Sequence, residues 1–258
     1  MFTILFEPGS IGTMALKNRL IMPPISTNLA GEDGTVSDEL LFHYAERARG
    51  GVGLVTVENV CIAYPLARHG AAQPRIDDDA FIPGLRRLTN AIHWGGAKAT
   101  VELTHPGMNA DLRYIEGETP VAPSAVPRSK DSLVPRALSR EGVVEVVEEY
   151  VGAARRARQA GFDAVELQAC HGLLINQFLS PLTNKRQDEY GGDRESRIRF
   201  LVEIVEGIKR RVGVDFPVVV RLVAEDMIEG GVTSEEGCWF ARRLEEAGAD
   251  ALHPDFGL

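Results

Sequence analysis

Gly161-Phe162-Asp163-Ala164-Val165-Glu166-Leu167 closes a helical segment on glycine and passes at once into a short, mostly apolar run. The same arrangement recurs. Gly50-Gly51 precedes Val52-Gly53-Leu54-Val55-Thr56-Val57, and Gly95-Gly96 precedes Ala99-Thr100-Val101-Glu102-Leu103. Further on, Gly213 precedes Val218-Val219-Val220-Arg221-Leu222, and Gly248 precedes Ala251-Leu252-His253. Glycine ends helices because left-handed backbone angles cost it nothing. Apolar runs without strict alternation suit strands covered on both faces. With Leu20-Ile21-Met22 as the first, the sequence predicts six strands.

The intervening helices carry start signals. Ser37-Asp38-Glu39 places a cap and two acids on a first turn, where the helix dipole favours negative charge. Thr233-Ser234-Glu235-Glu236 has capping-box spacing. Ser139 precedes Val143, Val146, Val147, Tyr150 and Val151, and Asp193 precedes Ile198, Leu201, Val202, Val205 and Ile208. Both sets repeat at three and four residues, as one-sided helices do. Arg155-Arg156 and Arg242-Arg243 fall on the opposite, solvated faces.

Strand–helix alternation implies a parallel sheet with right-handed crossovers, either doubly wound or an α/β TIM (β/α)8 barrel. A dinucleotide fold asks for Gly-x-Gly-x-x-Gly after its first strand. Pro23-Pro24-Ile25-Ser26-Thr27-Asn28 stands there instead. Long polar segments follow the strands, notably 104–138 and 170–192, and barrel enzymes build their sites from such loops. The barrel is therefore expected, as a single domain over 1–258. Six strands do not close it: two strand–helix units, on the order of 80 residues, are wanting. The first and sixth strands would be open edges. The Pro-rich stretch 120–135 reads as an active-site loop rather than a boundary.

Composition narrows the function classes. At 44% hydrophobic, the chain can bury a sizeable core. No stretch approaches ~20 apolar residues, so no membrane span is expected. Met1 to Phe6 lacks the basic-then-apolar order of a secretory signal. A net charge of −9 disfavours nucleic acid and anionic membranes as partners. Cys61, Cys170 and Cys238 are odd in number and widely spaced, which fits a reducing cytoplasm.

The most informative segment runs from Gln168 through Cys170-His171-Gly172-Leu173-Leu174-Ile175-Asn176-Gln177-Phe178-Leu179-Ser180-Pro181 to Tyr190-Gly191-Gly192. Gln168 and His171, three apart at the mouth of the fourth strand, could both donate to a carbonyl oxygen and stabilise charge developing there. Within the loop, Asn184, Arg186, Asp188, Glu189 and Tyr190 read as bracing. Glu58, Glu102, Glu166 and Asp255 end strands but show no histidine partner pattern, so no metal site is expected.

This segment, with Arg194-Glu195-Ser196-Arg197-Ile198-Arg199-Phe200 after it, closely resembles the Old Yellow Enzyme family of flavin-dependent ene-reductases, also called NADH:flavin oxidoreductases. Leu16-Lys17-Asn18-Arg19-Leu20-Ile21-Met22 resembles the family's opening strand. Gly53 to Glu58, Phe81 to Leu88, Leu103-Thr104-His105-Pro106-Gly107 and Val220-Arg221-Leu222 resemble later stretches. The resemblance implies FMN across the barrel mouth. Its contacts map to Pro23, Pro24, Ile25 and Ser26 after the first strand, Asn59 after the second, Glu102 on the third and Arg221 on the fifth. The pair that holds the substrate carbonyl maps to Gln168 and His171. The implied reaction passes hydride from NAD(P)H through flavin to the activated alkene of a small enone or enoate.

Each mapped residue also has a plainer reading. Pro23 and Pro24 could simply end a strand, Ser26 could serve a turn, and Asn59 could contribute only backbone. Arg221 could pair with a neighbouring acid such as Glu225 or Asp226. Gln168 could be a core amide, and His171 a loop brace. Three positions depart from the family pattern. Leu173 stands where many relatives have a proton-donating tyrosine. Glu102 stands for a glutamine, so it must be protonated, turned aside, or weaken the flavin. Gln168 often stands as histidine. In the family the last two barrel units hold the FMN phosphate. Two function classes follow: an FMN oxidoreductase, or a non-catalytic remnant or partner subunit. A homo-oligomer or a complementing chain could cover the open edges.

Overall fold

A computed structural model describes residues 3–257, so Met1 and Phe2 of the leader reading, and Leu258, lie outside the described residues. A hairpin comes first, β1 (Gly9–Ile11) antiparallel to β2 (Met14–Leu16). Then β3 (Ile21–Met22), α1 (Asp38–Arg49), β4 (Leu54–Cys61), α2 (Ile82–Trp94) and β5 (Lys98–Thr104) alternate. A short parallel pair, β6 (Val121–Ala122) and β7 (Arg136–Ala137), closes the Pro-rich stretch into a loop. After it come α3 (Arg140–Gln159), β8 (Ala164–Ala169), α4 (Leu174–Leu179), α5 (Arg194–Arg211), β9 (Val218–Glu225), α6 (Ser234–Glu246) and β10 (Ala251–Phe256).

The main sheet has six strands in the order β10-β9-β8-β5-β4-β3, and every pairing is parallel. Spatial order equals chain order. A doubly wound sheet reverses at a switch point. This one does not, which makes it six strands of a TIM-type barrel. β4 and β8 are buried at every position, as strands walled on both faces must be. Outside the sheet, α1 packs on α2, α2 on α3, α3 on α5 and α5 on α6, the outer ring of such a barrel. Phe178 stacks on Phe200 with centroids 4.2 Å apart, and this tucks the small α4 under α5.

Local chemistry sets the helix starts. The hydroxyl of Ser37 accepts from the Leu40 N–H at 3.0 Å, and Asp193 accepts from Ser196 N–H at 2.8 Å. Ser139 caps α3 through Gly142 N–H, and Thr233 with Glu236 completes a capping box. Arg155 and Arg156 are on the outer side as expected, though both bind Asp79 there. No helix among the described residues is long and apolar enough to cross a membrane.

Candidate active site

Parallel register places side chains from successive strands on one face. Glu102 on β5 is the register partner of Glu166 on β8, Gln168 on β8 of Arg221 on β9, and Arg221 of His253 on β10. These residues point into the barrel interior, with Glu102, Glu166 and Gln168 each 5% exposed or less.

Arg221 is the hub. Its Nη1 donates to Glu102 Oε1 at 3.3 Å, while Nε and Nη2 donate to Asp255 Oδ2 at 3.0 and 2.6 Å. His171 Nε2 lies 3.2 Å from the same Asp255 oxygen. Gln168 Nε2 lies 3.4 Å from His171 Nδ1, and the Cys170 thiol donates to Gln168 Oε1 at 3.0 Å. Four of the sequence-predicted residues, Glu102, Gln168, His171 and Arg221, therefore form one connected group. The neighbouring acids Glu225 and Asp226 are not the carboxylates that Arg221 binds. Asp255, 34 residues on, takes that place because the β9–β10 register sets the two strands side by side.

Charge in this group is unevenly compensated. Burial, then the nearby Glu166, pushes the Glu102 carboxyl up to about 8 against the pull of Arg221. At neutral pH Glu102 is mainly protonated, so it can donate as well as accept. Burial raises Asp255 as well, but the Phe256 N–H and Arg221 outweigh it and hold that carboxyl below its ordinary range. His253 Nδ1 lies 3.2 Å from Glu166 Oε1. Two strand-end acids thus do have histidine partners, His171 for Asp255 and His253 for Glu166, which corrects the sequence reading. Neither pair follows from spacing along the chain: Glu166 and His253 stand on β8 and β10, and His171 on the turn after β8.

Cys170, His171 and Asp255 bring donor atoms within 4.8 Å of one another. Arg221 already fills the Asp255 carboxylate, and burial drives the Cys170 thiol strongly up. Hydrogen bonding suits this set better than metal ligation.

The other predicted contacts lie on neighbouring strand exits. Pro24 is buried, whereas Pro23, Ile25 and Ser26 are exposed. Their segment is anchored by Thr27, whose N–H and hydroxyl both donate to Glu58, the hydroxyl at 2.9 Å. Asn59 is buried beside His69, and its carbonyl accepts from Gln73 Nε2 at 3.1 Å. Pro23, Ile21, Thr56, Glu166, Leu252 and His253 line a cavity of about 390 Å³ between β3 and β10.

The loop after β8 is braced as its sequence suggests. Arg186 binds Asp188 and reaches the Pro123 carbonyl at 3.0 Å, and Asn184 Nδ2 donates to the Phe178 and Tyr190 carbonyls at 2.8 and 2.7 Å. Sequence reasoning missed the central position of Asp255. The signal available was an acid two residues beyond the strand partner of Arg221, on the same face.

The family model described as NADH:flavin oxidoreductase / NADH oxidase family matches residues 4–255. A protein named NADH oxidase from Thermoanaerobacter brockii is 46% identical over 257 residues, which is 100% of this chain and 40% of that protein. One named NADPH dehydrogenase from Geobacillus sp. (strain WCH70) is 38% identical over 258 residues, 100% of this chain and 74% of that protein. The solved complex of 2-naphthoyl-CoA reductase with 2-naphthoyl-CoA matches with a TM-score of 0.93 at 33% identity, over 100% of this chain and 41% of that one. The chain spans about two fifths of the NADH oxidase and of the naphthoyl-CoA reductase.

Proposed function

The chain belongs to the NADH:flavin oxidoreductase / NADH oxidase family, the Old Yellow Enzyme type, and from that premise we propose that it builds the ring-facing and acceptor-facing part of an FMN-dependent oxidoreductase. The acceptor in this reading is a small α,β-unsaturated carbonyl compound, reduced at its alkene with hydride drawn from NAD(P)H. One observation carries it: Gln168, His171, Glu102 and Arg221 meet around Asp255 inside the barrel mouth.

The donor set fits a flavin ring edge. Arg221 supplies a partly buried positive charge, and Glu102 a neutral carboxyl able to donate and accept as an amide does. Pro23, Pro24, Ile25, Ser26 and Asn59 would hold the rest of the ring. Bound FMN supplies a two-electron relay between nicotinamide and acceptor. Arg221 would hold its positive charge against that ring edge, where it favours negative charge. Gln168 and His171 hold the acceptor's carbonyl oxygen, on which charge develops as hydride reaches the β-carbon. Leu173 has no proton to give, so the proton for the α-carbon comes from another group.

The test is a visible spectrum of the full chain after incubation with FMN and removal of free cofactor. A flavin band in near-stoichiometric amount is expected, and folded, colourless protein would overturn the reading. In the loaded protein, His171→Ala should weaken phenolate binding while the flavin stays bound. An unchanged phenolate titration removes His171 from the carbonyl role. In the second reading, a non-catalytic partner chain, another polypeptide covers the outer edges of β3 and β10, which are unpaired among the described residues. Colourless protein that exists only as an oligomer supports it.

A further inference from the structure

His171 and Gly172 both have left-handed backbones, with φ of 56° and 67°. Glycine accepts this freely, but a residue with a Cβ is strained there. Such a conformation persists only where its surroundings over-determine it. Backbone bonds close the turn, Leu173 N–H to the Cys170 carbonyl at 3.2 Å and His171 N–H to the Phe256 carbonyl at 3.4 Å, and side chains brace its Gly172 peptide. The Gly172 N–H donates to Asn176 Oδ1 at 2.7 Å. The Gly172 carbonyl accepts from Asn109 Nδ2 and Gln177 Nε2, each at 2.7 Å.

Asn176 is completely buried, and its Nδ2 donates to Asp226 Oδ1 at 3.2 Å. The Asp226 oxygens accept from Asn176 Nδ2, Ser180 Oγ and the Val232 N–H, so the amide of Asn176 turns its oxygen toward Gly172. Asp226 is completely buried too. Its second oxygen accepts from Ser180 Oγ at 2.6 Å and from the Val232 N–H at 2.8 Å. Asp226 lies just past β9, five residues after Arg221. The chain Asp226–Asn176–Gly172 therefore ties the turn carrying His171 to the strand carrying Arg221.

We propose that Asn176 and Asp226 are positioning residues for His171, locking the His171–Gly172 turn so that the imidazole faces Asp255 and Gln168. The functional weight of this rests on the reading that His171 meets the acceptor's carbonyl. The positioning itself does not.

The network has a testable polarity. Asn176→Asp alone sets two carboxylates against each other. Combined with Asp226→Asn, the polarity is reversed but complete: the carboxylate at 176 accepts from Gly172 N–H and from the new amide at 226. The experiment is NMR of the full chain with labelled histidine rings and backbone amides, without added flavin. In Asn176→Asp, the ring resonances of His171 should move, the other five histidines should hold theirs, and the Gly172 amide should lose its exchange protection. The double variant should return both signals to their parental positions, a rescue that mere loss of packing would not show.

If Asn176→Asp does not fold, Asn176→Ala replaces it with the same expectation for His171 and Gly172. Parental His171 and Gly172 signals in the single variant, or a folded double variant that restores neither, overturn the proposal. Phenolate binding to the FMN-loaded protein separates the two readings. If the NMR response appears but His171→Ala leaves phenolate binding unchanged, the positioning stands and the carbonyl role of His171 falls.

Discussion

Glu102 shows how one side chain can depart from a family pattern and keep its chemistry. Its carboxyl is 3% exposed beside Glu166, and burial holds it protonated up to about pH 8. In the unfolded chain it ionises at its ordinary value of 4.5. Between those values the folded state binds the extra proton. The stability from this group is complete below the unfolded value and is lost as pH rises through about 8, by about 1 kcal/mol per pH unit. Glu102→Gln should flatten this slope. Urea unfolding midpoints at about pH 5 and about pH 8 measure it. If parent and variant lose stability equally over that interval, Glu102 does not carry the proton. The same substitution should let FMN stay bound at alkaline pH, where the parental carboxylate would repel the ring carbonyl.

At the scale of elements, the helix starts were legible because they are local. Ser37, Ser139, Asp193 and Thr233 each sit within three residues of the N–H they cap. Thr233→Ala should cost about 1 kcal/mol, the usual worth of an N-cap, since the Glu236 N–H at the start of α6 loses the hydroxyl that accepts from it. Thermal or urea unfolding checks it, and an unchanged midpoint would mean that α6 is held by packing of Phe240 and Leu244 alone. Five of the six strands were legible for a similar reason, because each follows a glycine-ended helix. Illegible were β1 and β2, three residues each, and the six-residue α4, all too short to show a period. Least legible were the long-range side-chain pairs of the site. Arg221 with Asp255 and Glu166 with His253 span 34 and 87 residues. Such pairs depend on which strand register closes, and spacing along the chain carries no trace of that. Gln168 and His171 could be found because they share one strand exit, whereas Asp255 could not.

The molecule as a whole is decided by its two sheet edges. At one end lies β3, only two residues long, and at the other β10, six residues long. A free strand edge offers unpaired N–H and C=O groups to any strand that arrives. β10 adds apolar surface to that offer, with Leu252 38% and Phe256 63% exposed, and near β3 Ile21 and Ile25 are 47% and 60% exposed. Both edges flank the cavity that holds Glu166 and His253, so whatever pairs with them also walls the barrel interior. A polypeptide of these 258 residues alone is expected to associate with itself through β10 unless further chain covers that edge. Sedimentation velocity over a range of concentrations should show mass growing with concentration. Leu252→Lys, which puts a charge on the exposed face of the strand, should shift the distribution toward the monomer, because edge lysines oppose strand addition. A parent that sediments as a monomer throughout would show that water satisfies the β10 edge. The partner-subunit reading would then have no edge that needs covering, and the barrel mouth would be judged on its flavin binding alone.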